Sequence, residues 1–388
     1  MLDESKLSAL YHWLVAGAPG PDNFAELTSE IGRRLQSAHL PVDQFSTNKI
    51  MMHPELPGHL DYWTAAGGAR NRAATPKQVR EGDFWIGTPA QVCQSSGRML
   101  VYTLGENPKF DTRQDMQALR SRGYTQMVCL PLHSRYAPTV NTVTFATKRE
   151  GGFSAEDVDA LRRLQAPIAR VTEGYVLHAS TIGVLSTYVG RDAGSRVLTG
   201  NILRGDTEVI PSIVLFVDIK NFTKLSNERA PTEVISLLNR FFSLLDDAIR
   251  RNGGEILKFM GDGALGIFPT PDDHSAQVAA AASALAALHE VREKLASDDS
   301  APDILQFRAA MHLGDVHYGN IGSSNRLDFT VVGPTVNLAA RLLQAASDTD
   351  EDTICSTEIA ALIDAPTRLL GGRTFKGFPD AVAIYALE

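Results

Sequence analysis

The stretch Leu257-Lys258-Phe259-Met260-Gly261-Asp262-Gly263 decides how this chain is read. A short apolar run carrying one lysine leads into an aspartate set between two glycines. Gly-Asp-Gly suits a tight hairpin turn, so the stretch predicts a strand over 255–260 and a return strand over 264–268. A second aspartate, Asp218, lies 44 residues upstream, at the end of the apolar run 213–217, in Phe216-Val217-Asp218-Ile219-Lys220. A carboxylate at the end of a buried strand is costly unless a cation or a donor meets it. Two such carboxylates suit hard divalent ions, which favour oxygen ligands and stabilise phosphate charge. Taken singly, each aspartate has a turn or helix-cap reading, and Lys258 that of a surface lysine. Together they point to chemistry on a metal-bound phosphate compound.

Around this centre the pattern predicts strands mixed with packed helices, an α/β fold with an antiparallel component. Thr232 is expected to cap a helix over 233–251 whose apolar face is Val234, Leu238, Phe241, Phe242, Leu245 and Ile249, with Gly253-Gly254 ending it. An alanine-rich helix follows near 274–296. Strands are expected at 305–313 and 327–332, then a helix from near Thr335, a strand near 353–355, a short helix at 357–363, and closing strands near 373–376 and 381–387. Within Asp328-Phe329-Thr330-Val331-Val332-Gly333-Pro334-Thr335-Val336-Asn337-Leu338-Ala339-Ala340-Arg341, Asn337 and Arg341 are four apart and share one helix face. An arginine there suits a polyphosphate and an asparagine a ribose; capping or surface roles are the alternative for each alone.

The N-terminal half predicts helices at 6–16 and 24–37, while 41–75, rich in Pro, His and Gly, is harder to assign. Strands are expected at 99–102, 124–132 and 139–147, with a helix over 111–120. Ser154 and Asp157 form the start of a long helix to about 178, which Pro167 is expected to kink or interrupt. A shorter segment spans 182–198. This divides the chain into an N-terminal domain at 1–152, a helical linker at 153–205, suited to a signalling element, and a C-terminal domain at 206–388.

The chain has 388 residues, 44% of them hydrophobic, and a formal net charge of -8. That length supports two cores. The acidic balance and the lack of a basic block speak against nucleic acid as a partner. Cys93, Cys129 and Cys355 are too scattered for a disulfide framework or a zinc pattern, which fits a reducing compartment. His53, His59 and His133 show no ligand spacing. The first residues do not read as a signal peptide and no run has the length of a membrane span, so a cytoplasmic protein is expected.

Taken in order, these motifs resemble the catalytic domain of class III nucleotidyl cyclases over 206–388. Residues 216–223, Phe216 to Thr223, resemble the family's first metal-aspartate segment; Lys258 to Gly263 resembles its second. Gly333 to Arg341 resembles its asparagine-arginine segment, and Phe375-Lys376-Gly377-Phe378 its closing segment. The implied fold is an α+β sandwich of ferredoxin-like type. The end of the N-terminal half, 124–154 with the helix after it, resembles a GAF-type sensor domain; such domains bind a small-molecule regulator or simply dimerise, and the resemblance implies one or the other. Gly253-Gly254-Glu255 resembles the diguanylate cyclase signature, but the residues after it depart from that pattern.

The resemblance implies two Mg²⁺ or Mn²⁺ ions per site, with Asp218, Ile219 and Asp262 as the metal positions. It implies that Lys258, Thr330, Asn337 and Arg341 come from the opposite chain of a homodimer, so that a lone chain is inactive. Asn337 places the ribose, Arg341 stabilises the transferring phosphorus centre, and Lys376 faces the terminal phosphates. Lysine at position 258 belongs to adenylate-selective members, where it donates to adenine N1. The partner position is commonly aspartate; here it is Thr330, as in a bacterial and soluble subgroup, some of it bicarbonate-responsive. The expected activity is conversion of ATP to 3′,5′-cyclic AMP and pyrophosphate. The alternatives are a guanylate or dual-specificity cyclase, and a catalytically silent nucleotide-binding or scaffold protein.

Overall fold

The computed structural model describes residues 2–82, 85–135, 141–297 and 305–387. Thr139 and Val140, at the start of the strand expected over 139–147, lie outside those residues. The chain forms two compact units, Met1–Thr187 and Tyr188–Glu388. Their boundary falls inside the 153–205 segment.

The first unit is built on a six-stranded antiparallel sheet of order β3-β2-β1-β6-β5-β4. Its strands are β1 (Gln44–Ile50), β2 (Gly58–Thr64), β3 (Gly68–Ala74), β4 (Leu100–Thr103), β5 (Gln126–Leu132) and β6 (Asn141–Thr147). On one face lie α1 (Glu4–Val15), α2 (Phe24–Ser37) and α7 (Ala155–Tyr188), which bury Phe45, Trp63, Leu130 and Phe145 beneath them. Three of these strands occupy 41–75, the Pro-, His- and Gly-rich stretch that the sequence leaves unassigned. Part of the reason is that Lys49 of β1 and Asp61 of β2 read as surface residues yet are buried, 3% exposed each. They are ion-paired, and the Lys49 ammonium sits 3.2 Å from the Phe24 ring centroid.

The helix expected over 111–120 is two helices, α5 (Pro108–Asp111) and α6 (Gln114–Ser121), following α3 (Pro76–Glu81) and α4 (Pro89–Ser96). Asp111 closes α5 on itself by accepting the N–H groups of Gly105 at 2.8 Å and Asn107 at 2.9 Å. α7 starts where expected, with Ser154 and Asp157 in reciprocal hydrogen bonds. It then continues through Pro167 to Tyr188 without the break expected before 182. Leu161, Leu164, Ile168 and Val171 are buried on both sides of the proline, and this packing holds the helix together there.

The second unit opens with α8 (Arg191–Leu198) and is organised by an eight-stranded sheet of order β13-β14-β12-β10-β7-β9-β8, with β11 paired to β10. The strands are β7 (Thr207–Ile219), β8 (Glu255–Met260), β9 (Gly263–Pro269), β10 (Phe307–Gly322), β11 (Leu327–Val332), β12 (Thr353–Ser356), β13 (Thr367–Arg373) and β14 (Val382–Leu387). β10 and β12 run parallel; the other pairs are antiparallel. Central β7 is apolar on both faces because both are covered. Ile213, Leu215 and Val217 meet α10 (Pro231–Arg251) and α11 (His274–Ala296). Val214 and Phe216 meet the opposite layer, which includes Ala193 of α8 and Ala339 of α12 (Pro334–Thr349). The helices α9 (Phe222–Glu228) and α13 (Thr357–Ala360) are short.

Three expectations are corrected here. Thr232 does not cap α10: Ala230 holds the N-cap position and Pro231 starts the helix with its preset φ. β10 runs on to Gly322, well beyond 313, because its far half is paired with β7 and β11. The strand expected near 373–376 ends at Arg373, so Lys376 lies in the connection between β13 and β14. No helix among the described residues is long and apolar enough to cross a membrane.

Candidate functional site

Asp218 and Asp262 come together at the end of β7. The hairpin of β8 and β9 lies alongside, with Gly263 directly opposite Asp218 in the β7–β9 pairing. The Ile219 N–H donates to the Asp262 main-chain carbonyl at 3.4 Å, tying the turn to the strand end. The Ile219 side chain is in the core. Two glycines make the arrangement possible. Gly261 adopts φ +67°, in the left-handed region. A Cβ on Gly263 would come within 2.7 Å of the Val217 carbonyl oxygen and 3.1 Å of Asp218 Oδ1.

The two carboxyls interact directly. Burial, and after it the negative charge of Asp262, push the Asp218 carboxyl up to about 6, while Arg308 pulls it back. Arg308 faces Asp218 across the β7–β10 pair and binds Asp350 at 2.9 Å; its Nε is buried without a partner among the described residues. Two partly buried like charges side by side are an unfavourable state that a divalent cation would relieve. Among the described residues no group of three or more His, Cys, Asp or Glu side chains is placed so that it could hold a metal ion. Two adjacent carboxylates fit an ion that takes one or two of them and completes its shell with water and substrate oxygens, as Mg²⁺ does.

Lys258 stands on β8 beyond a register shift, since Ile256 pairs with Gly266 but Lys258 with Leu265. Leu257 is the extra residue, and a bulge of this kind re-aims the side chains after it. The Lys258 ammonium donates to Asp328 Oδ2 at 2.5 Å. Asp328 and Thr330 alternate along β11 with Phe329 and Val331, which are buried in the core. The first two therefore share the other face.

Asn337 and Arg341 lie one turn apart on α12, both exposed, while Leu338, Ala339 and Leu342 anchor the helix. Lys376 is exposed as well. Among the described residues, none of these three side chains is engaged in a hydrogen bond or an ion pair within the chain. Lys220, next to Ile219, is ion-paired with Asp352. The structure thus joins Asp218 to Asp262, and sets Lys258 against the strand of Thr330. It leaves Asn337, Arg341 and Lys376 presented to solvent.

Sequence reasoning missed Arg308 and the part played by Asp328. Arg308 is found only through strand register. Asp328 is visible in its alternation with Thr330, but its partner is 70 residues away in sequence.

Residues 208–362 match the family model described as the adenylate and guanylate cyclase catalytic domain. Adenylate cyclase 1 of Rhizobium meliloti (strain 1021) is 30% identical over 175 residues, covering 44% of this chain and 26% of that protein. The adenylyl cyclase CyaB from P. aeruginosa is similar in structure, with 30% identity and a TM-score of 0.41 over 47% of this chain and 96% of that one. The guanylyl cyclase Cya2 is 29% identical with a TM-score of 0.39, over 47% of this chain and 93% of that one. The chain spans about a third or less of the length of the curated relatives it matches. Residues 208–362 of this protein are a class III adenylate and guanylate cyclase catalytic domain.

Proposed function

We propose that the protein is an adenylate cyclase, converting ATP to 3′,5′-cyclic AMP and pyrophosphate at sites shared between two copies of the chain. The observation that carries this is the adjacent pair Asp218 and Asp262 inside the matched domain, with Lys258 on the same hairpin. Asp218 and Asp262, with Ile219 at the same strand end, would hold two Mg²⁺ or Mn²⁺ ions. When bound, these supply charge neutralisation for the phosphates and acidify the attacking 3′-hydroxyl.

The remaining roles belong to the chain's own side chains. Arg341 offers a fork of donors to the charge that grows on the α-phosphorus oxygens during in-line attack. Asn337 orients the ribose, so that the 3′-hydroxyl is held near its target. Lys376 neutralises the terminal phosphates as pyrophosphate leaves. Lys258 donates to adenine N1, and Thr330 accepts from the adenine amino group. That Asn337, Arg341 and Lys376 stand exposed, with no partner of their own among the described residues, supports their serving the site of a second chain. The N-terminal unit is read as a GAF-like regulatory domain that takes a small molecule, with 153–205 as the linker to the catalytic domain.

The test is incubation of the purified full chain with ATP or GTP and Mg²⁺ or Mn²⁺, with cyclic nucleotide measured by mass spectrometry. Cyclic AMP as the main product is expected. Cyclic GMP as the main product moves the assignment to guanylate cyclase, and no cyclic product with either metal sinks the enzyme reading.

A further inference from the structure

The partner of Lys258 is Asp328, two residues before the position where the resemblance expects an aspartate. The two side chains keep 39% and 37% of their surface exposed, and an ion pair so placed adds little to stability. Orientation is the larger consequence. A lysine side chain is long and rich in rotamers, so a fixed acceptor selects one direction from many. The acceptor here is well fixed. β11 pairs with β10 from Leu327↔Gly322 to Val332↔His317. Phe329 meets the Tyr318 ring edge-on at 4.8 Å between centroids. The lysine hydrogen bond is the main cause holding the Asp328 carboxyl below its usual range.

From this geometry we infer that Asp328 is the positioning residue for Lys258, holding its ammonium toward the face of β11 that carries Thr330 and so setting which purine the site accepts. The inference rests on the reading of Lys258 as the base-contacting residue. An ammonium has three donors; one engages Asp328 and the others remain for a base. Adenine presents an acceptor at N1 beside an amino donor, matching a lysine donor next to the oxygens of Asp328 and Thr330. Guanine presents a donor at N1, which a lysine held in this place opposes. Without Asp328 the ammonium is free to swing away, and the opposition to guanine weakens.

The experiment uses the full chain with α,β-methylene-ATP and α,β-methylene-GTP as probes, and affinity measured by calorimetry. In Asp328→Ala the preference for the adenine analogue is expected to fall on the order of tenfold. In Asp328→Asn, which keeps an oxygen acceptor for Lys258, most of it is expected to return. The melting temperature is expected to be the same in all three proteins, because the pair is exposed. An unchanged preference in Asp328→Ala overturns the inference, as does a wild-type chain with no preference. A fall in melting temperature with Asn no better than Ala overturns it too, since that is the signature of a structural role. Turnover measured in parallel separates the two claims. Cyclic product with an unchanged preference sinks the role of Asp328 alone; a shifted preference without product sinks the cyclase reading alone.

Discussion

A methyl group on Gly263 would press against the main chain of β7 beside Asp218, whereas one on Gly261 would meet nothing within 4 Å. The two glycines of one turn therefore do different work. Gly261 gives the turn its left-handed φ, so Gly261→Ala is expected to cost about 1–2 kcal/mol of stability through backbone strain. Gly263 gives the close approach, and the 2.7 Å contact to the Val217 carbonyl cannot be relieved by a side-chain rotation. Gly263→Ala is expected to push the turn away from Asp218. A misplacement of about 1 Å at reacting groups costs on the order of 10² in turnover, so kcat should fall by that order while binding of a metal-free nucleotide analogue changes little. A variant with unchanged kcat would show that the carboxylate spacing is not what Gly263 protects. The two glycines and the aspartate of this turn were legible as a hairpin in the sequence. That Asp262 and Asp218 act together was expected; that Gly263 is the residue opposite Asp218 was not legible, because it depends on the register between β7 and β9.

Among elements, β1 and β2 show how a strand can escape a pattern reading. Lys49 and Asp61 are polar letters at buried positions, so the hydrophobic alternation fails there although the strands are sound. Burial pushes the Lys49 ammonium down to about 8 in spite of the pull of Asp61. Removing one partner leaves a buried charge uncompensated. Asp61→Ala is expected to destabilise the first unit by about 3–5 kcal/mol. The double replacement Lys49→Met, Asp61→Leu is expected to be near neutral, since it removes both charges and keeps the volume. Denaturant unfolding followed by tryptophan fluorescence checks this, since Trp13, Trp63 and Trp85 all lie in the first unit; a double variant as unstable as the single one would refute it. α7 escaped in a different way: Pro167 predicts a break, but buried contacts on either side outweigh the lost backbone bond. Its N-terminal cap at Ser154 was readable because capping is decided within one turn of chain.

For the molecule as a whole, the proposed shared site makes one sharp demand. A chain carrying Asp218→Ala and a chain carrying Arg341→Ala should each be nearly inactive as homodimers. Mixed, they should form a heterodimer holding one intact site and regain up to about half of the wild-type activity per dimer. The check is a co-purified, doubly tagged heterodimer assayed for cyclic product; no recovery in that species would rule out a shared site. The chain's local chemistry was determined by sequence alone. The Gly-Asp-Gly turn, the helix faces, the spacing of Asn337 and Arg341 and the order of the motifs all follow from side chains within a few residues of each other. What the tertiary structure decided lies across longer spans. It paired Asp218 with Asp262, put Arg308 opposite Asp218, and gave Lys258 a partner in Asp328 rather than at 330. The physical reason is that strand register and bulges are settled by packing of both sheet faces together, and no local window of sequence contains that information.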